Sequence, residues 1–569
     1  MITFDDVSVQ PAGSDRYVLR AVDLRIDDGD LCLVVGRTGT GKSTLLKAIN
    51  GLVPHLTGAR LSGRVSVGGR STRDFPPRQL AGIVGYVGQD PLRGFVTDRV
   101  EDEIAYGMEQ LGIPSAAMRQ RVEETCDLMG IAELRGAALA SLSGGQQQRV
   151  AIAAVLAAQP RVLVLDEPTS ALDATAAGDV LAAITTLVHE VGLTVVLAEH
   201  RLERVIQAAD QVVWLPGDGT AVSGPPTQVL ARADVHPPLA DLARELGWDT
   251  VPVTVRAARR RVRAERPELV PDTLAAPAAG VPAGEEPARG ARSAVAPADR
   301  AGATEPGVVA RKLTVRYGTR TAVDKVDLEL PAGQVTVLMG RNGAGKSSIL
   351  WALTGTIAAS GDITVAGADP RRLDAAHARR LVTLVPQTAA DLLYLPTVEQ
   401  ECRQSDRESG QPPGRTAALL RELDRSIDLD ADPGDLSEGQ RLALVLAIQI
   451  APAPAVLLLD EPTRGLDYTA KARLREILRE VAREGRTVAV ATHDVEFAAE
   501  LADQAMIIAD GQVIAEGPAR AVCTASPAYA PQVAKVFWPR PWLTMADVRA
   551  ALRGGADPAA MEAHAGGAH

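Results

Sequence analysis

Two stretches of the 569-residue chain carry residues suited to holding a polyphosphate: GRTGTGKST, Gly36 to Thr44, and GRNGAGKSS, Gly340 to Ser348. Glycines let a loop turn its N–H groups inward around anionic oxygens, a lysine (Lys42 or Lys346) neutralises β/γ oxygens, and a serine (Ser43 or Ser347) offers a hydroxyl to Mg²⁺. The expected cradle is Gly36, Arg37, Thr38, Gly39, Thr40, Gly41, Lys42, Ser43 and Thr44 in the first loop. In the second it is Gly340, Arg341, Asn342, Gly343, Ala344, Gly345, Lys346, Ser347 and Ser348. Each loop follows an apolar run (LCLVV, VTVLM) and precedes a helix-like one (LLKAI, SILWAL), the strand, loop, helix order such a motif needs.

A second set of groups completes the chemistry. Phosphoryl transfer to water needs charge neutralisation and an oriented nucleophile rather than covalent catalysis. The runs VLVLD and VLLLD end at Asp166 and Asp460, placed to hold Mg²⁺, and the next residues, Glu167 and Glu461, can polarise a water. An acidic pair after four apolar residues sits at the end of a buried strand rather than on a solvated turn. TVVLAEH and TVAVATH end at His200 and His493, each able to donate to a phosphate. The Mg²⁺ groups expected from these residues are therefore Ser43 and Asp166, and Ser347 and Asp460.

These groups recur because the chain is a long internal repeat. Lys42 and Lys346 are 304 residues apart, while LSGGQ (142–146) and LSEGQ (436–440), and the two LDEPT segments (165–169 and 459–463), are offset by 294. Apolar runs ending at chemical motifs predict an α/β fold with parallel strands, functional residues at their carboxyl ends. Residues 98–135 and 397–430 read as an inserted helical subdomain. The echo of PPLADLARELGWDTVPVTVRAAR in PAYAPQVAKVFWPRPWLTMADVRAAL gives each copy a small C-terminal appendix. The expected organisation is a first domain over 1–264 with its appendix from about 236, an Ala/Pro/Gly/Arg-rich flexible tether over 265–305, and a second domain over 306–569 with its appendix from about 523.

The ordered set of phosphate loop, glutamine, LSGGQ or LSEGQ, LDEPT and histidine resembles the ABC ATPase family, and the resemblance covers both copies. It implies two P-loop NTPase domains of ABC type that bind ATP with Mg²⁺, with Gln89 joining Ser43 and Asp166, and Gln387 joining Ser347 and Asp460, as metal ligands that also sense the γ-phosphate. It further implies head-to-tail pairing within the chain, in which the signature of one domain covers ATP on the other. Ser143, Gly144, Gly145 and Gln146 would then serve the Lys346 loop, and Ser437, Glu438, Gly439 and Gln440 the Lys42 loop. Glu438 stands where the family has glycine and is expected to point away from phosphate. Tyr317 fits the adenine-stacking aromatic; the first copy has Pro11 there, with Tyr17 nearby either as a substitute or as a packed strand tyrosine. GQDPLRGFVTDRVEDEIAYGMEQLGI (88–113), PQTAADLLYLPTVEQE (386–401) and the appendices are similar to the fused ATP-binding component of energy-coupling factor (ECF) importers. The segment departs from that pattern at Leu92 to Gly94 and at Arg99. This resemblance implies an ATPase at the cytoplasmic face of the cell membrane, partnered by an integral membrane coupling subunit and a substrate-capture subunit. A tandem ATPase of a sugar or peptide importer, and a soluble tandem-ABC translation factor, are the alternatives.

Composition bounds these readings. With 46% apolar residues the chain can pack several cores. No apolar stretch approaches the ~18–20 residues needed to cross a bilayer, and MITFDDVSVQ lacks the features of a signal peptide. A net charge of −11 argues against nucleic acid as the main partner. Four scattered cysteines, at 32, 126, 402 and 523, have no metal-site spacing and read as reduced thiols. The basic run VRAARRRVRAER (255–266) is a solvated face or a contact for lipid phosphates or a partner.

Overall fold

The computed structural model describes residues 1–170, 172–235, 237–270 and 306–554. The chain divides into two compact units, 1–254 and 255–569.

Each unit is built on a six-stranded sheet. In the first the spatial order is Val222–Gly224, Gln211–Leu215, Leu31–Gly36, Thr194–Ala198, Val162–Asp166, Val84–Val87. The second repeats it as Gln512–Pro518, Gln504–Ala509, Val335–Met339, Thr487–Ala491, Val456–Asp460, Val382–Val385. All pairs are parallel except the two edge hairpins. Every residue of Val162–Asp166, Thr194–Ala198, Val456–Asp460 and Thr487–Ala491 is buried, as expected of strands covered on both faces. The register sets Asp166 beside Ala198 and Asp460 beside Ala491, so the LDEPT and histidine segments leave the sheet side by side.

Each unit also has an antiparallel sheet that the sequence reading did not separate from the parallel core. In the first it runs Leu19–Ile26, Ile2–Gln10, Arg60–Val67, Arg70–Ser71; in the second, Arg320–Pro331, Pro306–Tyr317, Ala359–Val365. Its apolar face shares one core with the phosphate-loop helix and the parallel strands, as in the packing of Phe4 and Val65 with Leu45, Val34 and Val164. The second copy does the same with Leu313, Leu350 and Leu458.

The helical insertions are Val100–Gln110 with Ser115–Leu128, and Val398–Ser409 with Arg415–Leu423. The latter pair packs with helix Glu438–Ile450 around a core of its own that includes Val398, Cys402, Leu420, Leu444 and Ala447. All four cysteines are buried and unbridged, Cys32 within its parallel strand.

The appendices require one correction. The basic run forms helix Val255–Glu265, but this helix belongs to the second unit, so the first unit ends at 254 rather than 264. Ala258 and Val262, four apart, are fully buried. Arg259 donates to the carbonyls of Lys535 (3.4 Å) and Trp538 (2.7 Å) and lies over the Trp538 ring, while Arg540 donates to Leu269 (2.9 Å) and Glu268 (2.8 Å). Two apolar positions on a charged helix define a narrow stripe but do not name what covers it. Residues 265–270 finish this helix and make a 3₁₀ turn with Leu269 and Val270 buried, so they are not tether; 271–305 lie outside the described residues.

Candidate functional site

Both phosphate loops join a buried parallel strand to a helix that starts at the lysine, Lys42–Ile49 and Lys346–Leu353. The residue before each lysine is a left-handed glycine with φ of 104° and 106°. A Cβ at Gly41 would lie 2.6 Å from Val18 Cγ1, and one at Gly345 would lie 2.5 Å from the Ala322 carbonyl, so conformation and space both demand glycine. Lys42 Nζ donates to the carbonyls of Gly36 and Arg37 at 3.0 Å each, and Lys346 Nζ to those of Gly340 (2.8 Å) and Arg341 (3.1 Å). Both amines are buried and held across their loops.

Ser43 and Ser347 stand close enough to Asp166 and Asp460 to favour the ionised carboxylates. Burial, with the neighbouring glutamate, raises the Asp166 carboxyl against the lowering effects of Ser43, Lys47 and Tyr86. The same burial pushes Asp460 up to about 6, with Ser347 and Lys346 opposing and Glu461 adding to the rise. In each case Oδ1 is buried without a hydrogen-bond partner among the described residues. An orphaned carboxylate oxygen beside a loop serine fits a divalent cation, whose charge would offset the desolvation. Gln89 and Gln387 follow the adjacent strands. Gln89 Nε2 donates to Glu167 Oε2 at 3.0 Å, whereas Gln387 is exposed and no hydrogen bond to Glu461 is present among the described residues.

Glu167 and Glu461 are buried and adopt left-handed backbone, with φ of 54° and 48°. Such a conformation costs a non-glycine residue roughly 1–3 kcal/mol and persists where its surroundings enforce it. Here the neighbouring strand does so: Glu167 N–H donates to the Ala198 carbonyl at 2.9 Å and Glu461 N–H to Ala491 at 2.8 Å. Each glutamate meets its histidine, Glu167 Oε1 to His200 Nε2 at 2.6 Å and Glu461 Oε2 to His493 Nδ1 at 2.7 Å. Burial opposes ionisation of Glu461, but the His493 bonds and the Lys346 ammonium, 3.7 Å away, outweigh it and hold the carboxyl below its usual range. The sequence offers these glutamates and histidines as separate groups; the fold brings each glutamate into contact with a histidine.

The signature residues sit at helix starts, not in these pairs. Ser143 caps Gly144–Leu156 in a capping box with Gln146, and Ser437 caps Glu438–Ile450 with Gln440. Gly145 and Gly439 lie in the first turns of these helices. Glu438 pairs with Arg441 at 2.9 Å, which offsets the extra anion. Tyr317 ends its strand and is half-exposed; Tyr17 is half-exposed in the loop before Leu19–Ile26, so it is not a packed strand residue.

Two contributors were missed in the sequence. Tyr86 donates to Asp166 Oδ2 at 3.3 Å, while the position three before Gln387 is Leu384, which cannot. Glu199, buried beside His200, bonds to Thr169. The available signals were a polar residue in an otherwise apolar strand and an acidic residue preceding a strand-end histidine.

With this geometry in place, the profile of the ABC transporter family matches residues 19–170 and 323–464, which contain both phosphate loops and both LDEPT segments. The chain belongs to the ABC transporter family. A Streptomyces coelicolor protein named as an ABC transporter ATP-binding protein is 53% identical over 97% of this chain and 100% of its own length. One from Methanosarcina mazei with the same description is 31% identical over 92% of this chain and 90% of its own. A solved structure of CbiO1 from Clostridium perfringens, described as part of the ABC transporter complex CbiONQ, is 24% identical and covers 47% of this chain and 96% of that one, with a TM-score of 0.38. This ABC ATPase is therefore a tandem one, two ATP-binding units in a single chain. No helix among the described residues is long and apolar enough to cross a membrane.

Proposed function

We propose that this chain is the ATP-hydrolysing subunit of an ECF-type importer, at the cytoplasmic face of the cell membrane. It would work with an integral membrane coupling subunit and a substrate-capture subunit for a vitamin, a vitamin precursor or a metal ion. The observation that carries the reading is that both units pair a buried glutamate with its histidine and keep a buried lysine held across the phosphate loop. Fused sugar-importer ATPases, with a degenerate second loop, fit less well. A tandem translation factor would be expected to join its halves with a long charged helix, and the Pro/Gly-rich 271–305 segment disfavours one.

At each site the lysine draws the β/γ oxygens into the loop, the glutamate takes up a proton from the attacking water, and the histidine orients that carboxylate and donates to the γ-phosphate. Mg²⁺, when bound, supplies charge neutralisation; Ser43, Asp166 and Gln89 would hold it in one site, and Ser347, Asp460 and Gln387 in the other. Ser143 and Gly145 would close over ATP on the Lys346 loop, and Ser437 and Gly439 over ATP on the Lys42 loop, with Tyr317 stacking on one adenine.

The partner-facing zones are 90–106 and 388–401, next to the two glutamines. Support comes from apolar side chains left in water there: Leu92, Val96 and Tyr394 are 52%, 62% and 70% exposed. Buried carboxylates brace both zones. Glu103 accepts the N–H groups of Val96 (2.9 Å) and Thr97 (2.8 Å), and Glu401 those of Tyr394 and Leu395 (2.6 Å each). A braced segment beside a phosphate-sensing glutamine can pass site closure to a partner helix. Pull-down from gently solubilised membranes, paired with substrate uptake in cells, tests this. Co-purification of integral membrane proteins and ATP-dependent uptake are expected; recovery with ribosomes and no membrane protein would overturn the reading.

A further inference from the structure

The two copies differ at the residue before the strand-end histidine. In the second copy it is Thr492, whose hydroxyl accepts from the Asp494 N–H at 3.0 Å. In the first it is Glu199, a buried carboxylate that none of the motifs requires. One of its oxygens accepts the N–H (3.3 Å) and the hydroxyl of Thr169, two residues beyond Glu167. The other accepts the backbone N–H of His200 at 2.8 Å and of Arg201 at 3.4 Å. A single side chain therefore ties the turn that carries Glu167 to the turn that carries His200.

The repeat supplies an internal comparison. Thr463, in the place of Thr169, is buried and its hydroxyl has no hydrogen-bond partner among the described residues. With no carboxylate at 492, the His493 N–H turns to Glu461 itself, at 3.3 Å. In the first copy Glu199 takes the corresponding N–H, and Glu167 is held by the His200 ring and Gln89. The short Thr492 side chain is engaged locally by the Asp494 N–H and leaves the Thr463 hydroxyl unbonded among the described residues, whereas the longer Glu199 carboxylate presents one oxygen to each turn.

We propose that Glu199 is a positioning residue for hydrolysis at the Lys42 site, locking the Glu167 and His200 turns in register, and that the Lys346 site works without such a lock. This rests on Glu167 and His200 being the hydrolytic pair of that site. Buried, charge-assisted networks hold their members rigidly, and a displacement of about 1 Å in a reacting group can cost about 10²-fold in rate.

The test uses the full chain with a protease site engineered between 271 and 305. A photoreactive ATP analogue is trapped with vanadate, and the two halves are separated after labelling. Glu199→Thr is expected to lower hydrolysis-dependent trapping on the first half at least ~10-fold, with direct photolabelling by unhydrolysed analogue changed less than ~3-fold there and trapping on the second half retained. Glu199→Gln, which keeps one acceptor oxygen, should recover part of the loss. Adding Thr169→Val to Glu199→Thr should cost nothing further, because both break one link. Unchanged trapping on the first half, or equal loss on both halves, overturns the proposal. If Glu199→Thr does not fold, Thr169→Val alone carries the test, with a smaller loss confined to the first half expected and no loss overturning it. Full trapping with Glu167→Gln would instead refute the hydrolytic-pair assignment, a separate failure.

Discussion

Replacing Glu461 by glutamine should slow hydrolysis at the second site while strengthening its hold on ATP. The side chain is buried against His493 Nδ1 at 2.7 Å and stands 3.7 Å from Lys346 Nζ. Glutamine keeps the volume and an acceptor for the imidazole but cannot take a proton from water; the expected loss is at least ~10²-fold, about 2.7 kcal/mol of barrier. The charge term works the other way. At an effective dielectric of about 20, two unit charges at this separation attract by about 4 kcal/mol before desolvation is subtracted, and the glutamate also repels an incoming γ-phosphate. Removing it leaves Lys346 on the carbonyls of Gly340 and Arg341 and free to serve the phosphate alone. ATP affinity is thus expected to hold or rise as turnover falls. Glu167→Gln at the first site should lose turnover likewise, since the carboxylate held there by His200 and Gln89 is the group that takes up the proton. Equilibrium binding of labelled ATP and single-turnover phosphate release, measured on each variant and on the double variant, separate the two effects. A double variant that hydrolyses at the normal rate, or one that no longer binds ATP, would refute the assignment.

Ser437→Arg should abolish trapping at the Lys42 loop, because a bulky cation at the helix start blocks closure over the phosphate. Ser437→Ala, which removes the cap and the hydroxyl without adding bulk or charge, should cost less, and loss confined to the Lys346 loop would contradict head-to-tail pairing. Cleavage near Ala283 should leave the halves associated on size exclusion and active, since helix Val255–Glu265 packs in the second unit although its chain leads from the first. Val262→Asp, which buries an unpaired carboxylate, should release the cut halves, and their continued co-elution would show that the helix does not hold them. Charge reversal at Arg93 or Asp391 should uncouple uptake while retaining most basal ATPase, because both are exposed in the proposed partner zones and outside the phosphate-binding set; unimpaired uptake would move the contact elsewhere.

Much of this protein was legible along the chain. The phosphate loops and LDEPT segments hold their chemistry within a few consecutive residues, so covalent spacing alone places Lys42 near Ser43 and Asp166 next to Glu167. Unbroken apolar runs such as VLLLD mark strands covered on both faces, and the 294-residue and 304-residue offsets required two copies of one fold. Contacts across the sheet were not legible. Tyr86 reaches Asp166 from 80 residues away, and Glu199 reaches Thr169 from 30, because strand order and register make neighbours of residues that no local pattern links. The antiparallel sheet is likewise a matter of pairing, in which Ile2–Gln10 acquires meaning only against Leu19–Ile26 and Arg60–Val67. Along the chain VRAARRRVRAER reads as a solvated face or a contact for lipid phosphates or a partner; only the tertiary structure decided that it is a helix whose Ala258 and Val262 are covered within the second unit, because its charges dominate the local pattern and two apolar positions do not name the surface that covers them.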